Sequence, residues 1–131
     1  MNANGSVLLD TIIVVDHLRG KSPSIVEHFK ETTPIFAGDC SGRALYGAYK
    51  STFTPRSLSQ IEDFGRVCAI LGIDARTAGY YGQINSDLGR VGTLIPQNDI
   101  WIAAIALQHS LPLATRDQHF SFVPGLTLLD W

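Results

Sequence analysis

The sequence predicts an α/β fold: a parallel sheet with helices on both of its faces. Three observations carry this. Short apolar runs of strand length recur at Ser6–Asp10, Pro34–Ala37, Leu111–Thr115 and Leu126–Leu129. Between them lie segments whose apolar residues are spaced three and four apart, the period of a helix with one buried face. Alternation of the two is the pattern of strand–helix–strand units, which build parallel sheets.

Each element has its own local reason. Ile13 to Leu18 reads as a short helix stopped by Gly20 and Pro23. Ser24 to Glu31 is a second helix, with Ile25, Val26 and Phe29 on one face. Ser41, a good N-cap, opens a helix to Ser51. Pro55 opens the next, in which Leu58, Ile61, Phe64, Val67, Cys68 and Leu71 keep helical spacing until Gly72 closes it and Ile73 starts a short extended piece. Ala75 to Leu88 forms a further helix, weakened by Gly79 and Gly82. Gly89 to Pro96 is a loop. Asn98 then starts a helix that is apolar on every face from Ile100 to Leu107 and is therefore buried. Asp117 to Phe120 makes a turn of helix.

Composition bounds the function. With 131 residues, 45% hydrophobic and 17% charged, the chain can build a core and is not a disordered tail. No repeat or linker divides it, so one domain over residues 1–131 is expected. A formal net charge of −2 excludes a strongly basic nucleic-acid binder but not a nuclease with a local acidic site. Two cysteines, Cys40 and Cys68, make neither a disulfide scaffold nor a zinc spacing. No apolar run reaches the roughly 20 residues that span a bilayer, and the first ten residues lack a basic, then apolar, leader. A cytoplasmic protein with no membrane association is the expectation.

In open parallel sheets, sites form beyond the carboxyl ends of the strands. Asp10 ends the first strand, Asp117 follows the Leu113 strand, and Asp99 lies in the first turn of the buried helix. Taken singly, Asp10 and Asp117 read equally well as turn formers, and Asp99 as a cap. Taken together they converge on one rim, where like charges repel unless a cation sits among them. Oxygen donors favour Mg²⁺ or Mn²⁺ over zinc, and such an ion can activate water for attack on a phosphodiester. Arg19, Lys21, Lys50, Arg56 and Arg116 read either as a path for a nucleic-acid backbone or as solvated charges. Tyr46, Tyr49 and Phe53 read as base-stacking groups or as core and dimer contacts. The four histidines show no ligand spacing and are assigned no chemistry, although His119 follows Asp117 by two. Ser41 has no His/Asp partners that would make it a nucleophile.

Four blocks carry a family resemblance: Leu8-Leu9-Asp10-Thr11, Tyr46-Gly47-Ala48, Ile95 to Ala104, and Leu113 to Phe120. In this order, over nearly the whole chain, they resemble the PIN domain family, and within it the VapC-type toxins of toxin–antitoxin pairs. The resemblance implies a PIN-like three-layer fold and a metal-dependent endoribonuclease that hydrolyses RNA phosphodiesters with Mg²⁺ or Mn²⁺. It also implies a homodimer held inactive by a cognate antitoxin protein. The family's metal acids carry over onto Asp10, Asp99 and Asp117, and its supporting hydroxyl onto Thr115; Thr11 and Asn98 are expected to support the same shell. Two positions depart from the family pattern. Ile12 stands where the family has asparagine, and Arg43 where it has a glutamate. Asp39, four residues earlier, is a candidate substitute for the missing acid or a simple turn former. An alternative reading follows from the departures: a catalytically impaired PIN-fold module that only binds.

Overall fold

The structure, a computed structural model, describes residues 5–18, 23–38, 46 and 54–131. Five strands form one parallel sheet: β1 (Ser6–Leu9), β2 (Thr33–Ala37), β3 (Ala69–Leu71), β4 (Leu113–Ala114) and β5 (Leu128–Leu129), in the order β3-β2-β1-β4-β5. The described helices are α1 (Thr11–Leu18), α2 (Pro23–Glu31), α3 (Thr54–Val67), α4 (Ala75–Arg90) and α5 (Gln97–Gln108), and a 3₁₀ turn spans Gln118–Phe122. From β1 the chain first builds outward to β3, then crosses to β4 and builds outward to β5. Right-handed crossovers running in opposite directions place their helices on opposite faces, which gives the expected three layers.

β1 is paired on both edges: Leu8 lies opposite Ile35 of β2 and opposite Leu113 of β4. Val7, Leu8 and Leu9 are buried, as a strand covered on both faces requires. Helix α5 belongs to the same core, with Ile100 and Ile102 to Ala106 all buried. Phe36, Leu113 and Phe120 complete this centre. Each large aliphatic side chain buried there contributes about 1.5–3 kcal/mol of transfer free energy.

Helix α4 forms despite Gly79 and Gly82 because its start is strongly capped. The Asp74 side chain accepts hydrogen bonds from the Arg76 and Thr77 N–H groups, and the Asp74 N–H donates to the Thr77 hydroxyl. The Thr77 N–H, foremost among these donors, holds the Asp74 carboxyl below its ordinary range. The Gln108 amide, at the end of α5, donates to the same carboxylate at 3.0 Å, and the Thr77 hydroxyl donates to the Gln108 carbonyl oxygen. Tyr81 and Trp101 stack between the two helices with ring centroids 4.0 Å apart. This clamp orients α5.

Three expectations are corrected or fall elsewhere. Helical spacing was expected to run to Leu71, but α3 ends at Val67 and Ala69–Leu71 is β3. The ladder to β2, with Phe36 opposite Ile70, satisfies backbone groups that helical continuation would leave unpaired with the sheet, and it overrides the local period. The buried helix starts at Gln97 behind Pro96, one residue before Asn98. The helix expected over 41–51 lies outside the described residues, as do Arg19, Lys21, Asp39, Cys40, Ser41, Arg43, Tyr49, Lys50 and Phe53; Tyr46 is exposed. Cys68 is a free, buried thiol that desolvation pushes up to about 11. Among the described residues no helix is long and apolar enough to cross a membrane.

His17 on α1 packs against Phe29 and Phe64, at ring-centroid distances of 4.4 and 6.0 Å, and its Nδ1 has no partner among the described residues. Desolvation lowers its pKa below the ordinary 6.5. The folded state therefore binds fewer protons than the unfolded one, so the His17 contribution is complete above pH 6.5 and is lost as pH falls through the lowered folded value. Urea midpoints measured from pH 7.5 to 5 should fall more steeply for the native chain than for His17→Leu. Parallel curves would refute this assignment.

Candidate active site

Asp10 sits where β1 becomes α1. Its N–H donates to the Ala114 carbonyl of β4 at 3.0 Å, and its own carbonyl accepts from the Ile13 N–H at 3.1 Å. The side chain is 6% exposed. Oδ1 accepts from the Thr11 N–H and Oδ2 from the Thr115 hydroxyl, each at 2.8 Å. Thr115, itself buried, follows β4, so this bond ties the carboxyl ends of the two central strands together.

From Thr115 a chain of hydrogen bonds runs outward. The Thr115 hydroxyl accepts from the Asp117 N–H at 3.0 Å, and Asp117 Oδ1 accepts from the His119 N–H at 2.9 Å, capping the 3₁₀ turn. The His119 ring folds back onto the same carboxylate, with Nδ1 3.0 Å from Asp117 Oδ1 and 3.8 Å from Asp99 Oδ2. Asp99 arrives from the other side, in the first turn of α5, and is 6% exposed. The N-cap there is Pro96, which makes no side-chain cap bond, so Asp99 lies inside the helix rather than at its cap. An acid in the first turn also meets the positive end of the helix dipole.

Asp10, Thr11, Ile12, Val15, Asp99, Arg116 and Asp117 line one cleft of about 390 Å³ at this edge of the sheet. It lies beside the switch point, where β1 and β4 lead the chain in opposite directions, the position at which open parallel sheets hold ligands. All three sequence-singled aspartates thus line one cleft, with Thr11 among them and Thr115 behind Asp10. Asn98 is exposed and does not line the cleft. Arg116, at the rim, donates to Asp16 at 2.8 Å and to the Trp131 carbonyl at 2.7 Å. Ile12 is 44% exposed and presents an apolar side chain to the cleft.

One residue that spacing did not single out belongs to this group. Among the described residues, Asp99, Asp117 and His119 each offer a ligand atom within 4.8 Å of the others. The i, i+2 relation of Asp117 and His119 was the available signal, and the 3₁₀ turn converts it into contact. Carboxylates at that spacing repel by about 3 kcal/mol at an effective dielectric near 20, and less where Asp117 meets water. A divalent cation fits this donor set of two carboxylates and one imidazole, and Thr11, whose buried hydroxyl has no partner among the described residues, lines the adjoining cleft.

Comparison with solved structures identifies the architecture as that of PIN-fold toxins. The chain superposes on a DNA-bound VapBC structure from Salmonella typhimurium with a TM-score of 0.90, at 28% identity over 99% of each chain. It superposes on promoter-DNA-bound VapBC2 from Rickettsia felis with a TM-score of 0.88, at 25% identity, over 96% of this chain and 98% of that one. Ribonuclease VapC2 of Haemophilus influenzae is 31% identical over 127 residues, which is 95% of this chain and 96% of the relative. The tRNA(fMet)-specific endonuclease VapC of Salmonella typhimurium is 30% identical over the same length. No family model matches the chain. The chain belongs to the VapC family of PIN-fold ribonucleases.

Thr115→Val removes the donor to Asp10 Oδ2 at nearly constant shape and leaves a buried carboxylate oxygen short of a partner. A loss of about 1–3 kcal/mol is expected, read as a lower urea midpoint with unchanged slope. A midpoint equal to the native one would show that the bond contributes nothing net.

Proposed function

We propose that this protein is a divalent-metal-dependent endoribonuclease, the toxin of a toxin–antitoxin pair, and that Asp10, Asp99 and Asp117 are its catalytic and metal-holding residues. The observation that carries the reading is the convergence of these three aspartates on one cleft at the switch point of the sheet. Relatives named as ribonucleases support the reaction class, and solved relatives that are VapBC complexes support an antitoxin partner. A homodimer and a cytoplasmic location belong to the same reading, as does a single domain over the whole chain.

In this reading Asp99 and Asp117, whose carboxylate oxygens lie within 4.8 Å of each other, would hold Mg²⁺ or Mn²⁺, with Asp10 lining the same cleft. When bound, such an ion neutralises charge at a phosphodiester and acidifies the water that attacks it. The chain's own residues do the rest. Thr11 N–H and the Thr115 hydroxyl fix the Asp10 carboxylate, so that both its oxygens keep their direction. The Thr115 hydroxyl also fixes the Asp117 backbone, and the 3₁₀ turn fixes the Asp117 side chain. Held donors lose less rotamer freedom on binding than free ones. Arg116 lines the same cleft while paired with Asp16, so it offers a nucleic-acid backbone only the charge that pair leaves over.

Asp99→Asn keeps shape and removes one charge. Mn²⁺ affinity, measured calorimetrically without antitoxin, should drop more than about 100-fold, and divalent-dependent RNA cleavage should vanish. Cleavage retained in this variant would sink the assignment.

A second reading is favoured by Ile12: an exposed apolar side chain lining the cleft beside the aspartates suits a module that binds without cleaving. Under that reading native protein is inert toward RNA while still binding antitoxin, and Ile12→Asn paired with Arg43→Glu raises cleavage from zero. Native cleavage that exceeds the double variant's decides for the nuclease.

A further inference from the structure

We propose that His119 is a ligand of the divalent ion through Nδ1, so that the site is a mixed oxygen–nitrogen centre that selects Mn²⁺ over Mg²⁺. The inference rests on the metal-dependent reading above and deepens it.

The three donor atoms lie close enough together for one ion to reach them, although without an ion the 3.0 Å contact is an ion pair between ring and carboxylate. An octahedral ion with ligands at about 2.1 Å sets neighbouring donors about 3.0 Å apart and opposite donors about 4.2 Å apart. His119 Nδ1 lies 3.0 Å from Asp117 Oδ1, which is a neighbouring spacing, and 3.8 Å from Asp99 Oδ2, between the two limits. All three ligand atoms fall within 4.8 Å of one another.

The local chain holds the imidazole in place. Asp117 caps the 3₁₀ turn by accepting the His119 N–H, and this brings ring and carboxylate to the same side. The ring is half-exposed, at 52%, so no packing in the core requires it. Those are the circumstances of a ligand that completes a site rather than of a structural histidine. The remaining donors are carboxylate oxygens.

The chemistry then decides the ion. Mg²⁺ takes oxygen donors and keeps its waters, whereas imidazole nitrogen suits the first-row transition series, to which Mn²⁺ belongs as its weakest-binding member and Mg²⁺ does not. One nitrogen among the oxygens leaves Mg²⁺ binding weak and favours Mn²⁺.

The test uses the full chain, free of antitoxin, with Mn²⁺ and Mg²⁺ alone as probes. Calorimetry gives affinities, and pulsed electron paramagnetic resonance on the Mn²⁺ complex reports directly bound nitrogen. Native protein should show ¹⁴N coupling, and His119→Ala should lose it together with roughly tenfold or more of Mn²⁺ affinity. His119→Asp, which supplies oxygen instead, should recover Mn²⁺ binding without the nitrogen signal and narrow the Mn²⁺/Mg²⁺ ratio. Because the ring is exposed, none of these variants threatens the fold. Mn²⁺ bound with no ¹⁴N coupling, and unchanged affinity in His119→Ala, overturns the proposal while the aspartate site stands. No Mn²⁺ binding in native protein overturns both.

Discussion

Strand β1 is hydrogen-bonded along both edges, to β2 and to β4, and its register with each is set through Leu8. A strand so placed has no freedom to slip: a shift of one residue would turn Val7 and Leu9 out of one layer and into the other. The residue after it, Asp10, is fixed as firmly. Its N–H completes the ladder to Ala114, and its carbonyl begins α1. β4 is equally constrained between β1 and β5. The cleft is therefore the meeting point of two strand ends whose positions the sheet dictates, and the Thr115–Asp10 bond is the link that joins them.

The third acid comes from a different constraint. Helix α5 has no polar face between Ile100 and Ala106, so it is stable only when surrounded. The Asp74–Thr77–Gln108 cluster holds its C-terminal end and the Tyr81–Trp101 stack its N-terminal end from the α4 side. Asp99 projects from the end of this buried rod. Charge at a cleft wall is thus supported by apolar packing behind it, while Asp117 and His119 sit on a 3₁₀ turn anchored in the core by Phe120. The site has a rigid half and a more exposed half.

The fold was largely legible in the sequence because the strands are continuous apolar runs and α5 has a composition that permits one environment only. Asp10 and Asp117 were legible as strand-end acids, since parallel strands share a direction. What escaped had tertiary causes. Ala69–Leu71 reads as helix locally, and only pairing with Phe36 makes it a strand. Asn98 looked like a helix start, yet Pro96 takes that position and leaves Asn98 exposed. His119 shows no ligand spacing in linear order; its placement depends on a 3₁₀ turn whose tightness depends on Asp117 accepting its N–H. Arg43 lies outside the described residues, so its relation to the cleft is carried by sequence alone.

The two halves of the cleft differ in how freely they can change. Ala103, Ala104 and Ala106 are fully buried, and an added methylene there meets packed neighbours at a cost of about 1–3 kcal/mol. Ile12 at the cleft and His119 on the neighbouring turn are exposed to solvent, where most exchanges cost within about half a kcal/mol of stability. The frame that aims the acids is thus closed to variation, while the mouth that meets a partner or a substrate is open to it. A fold partitioned in this way can be retuned toward a new ligand by successive single substitutions without passing through an unfolded intermediate sequence.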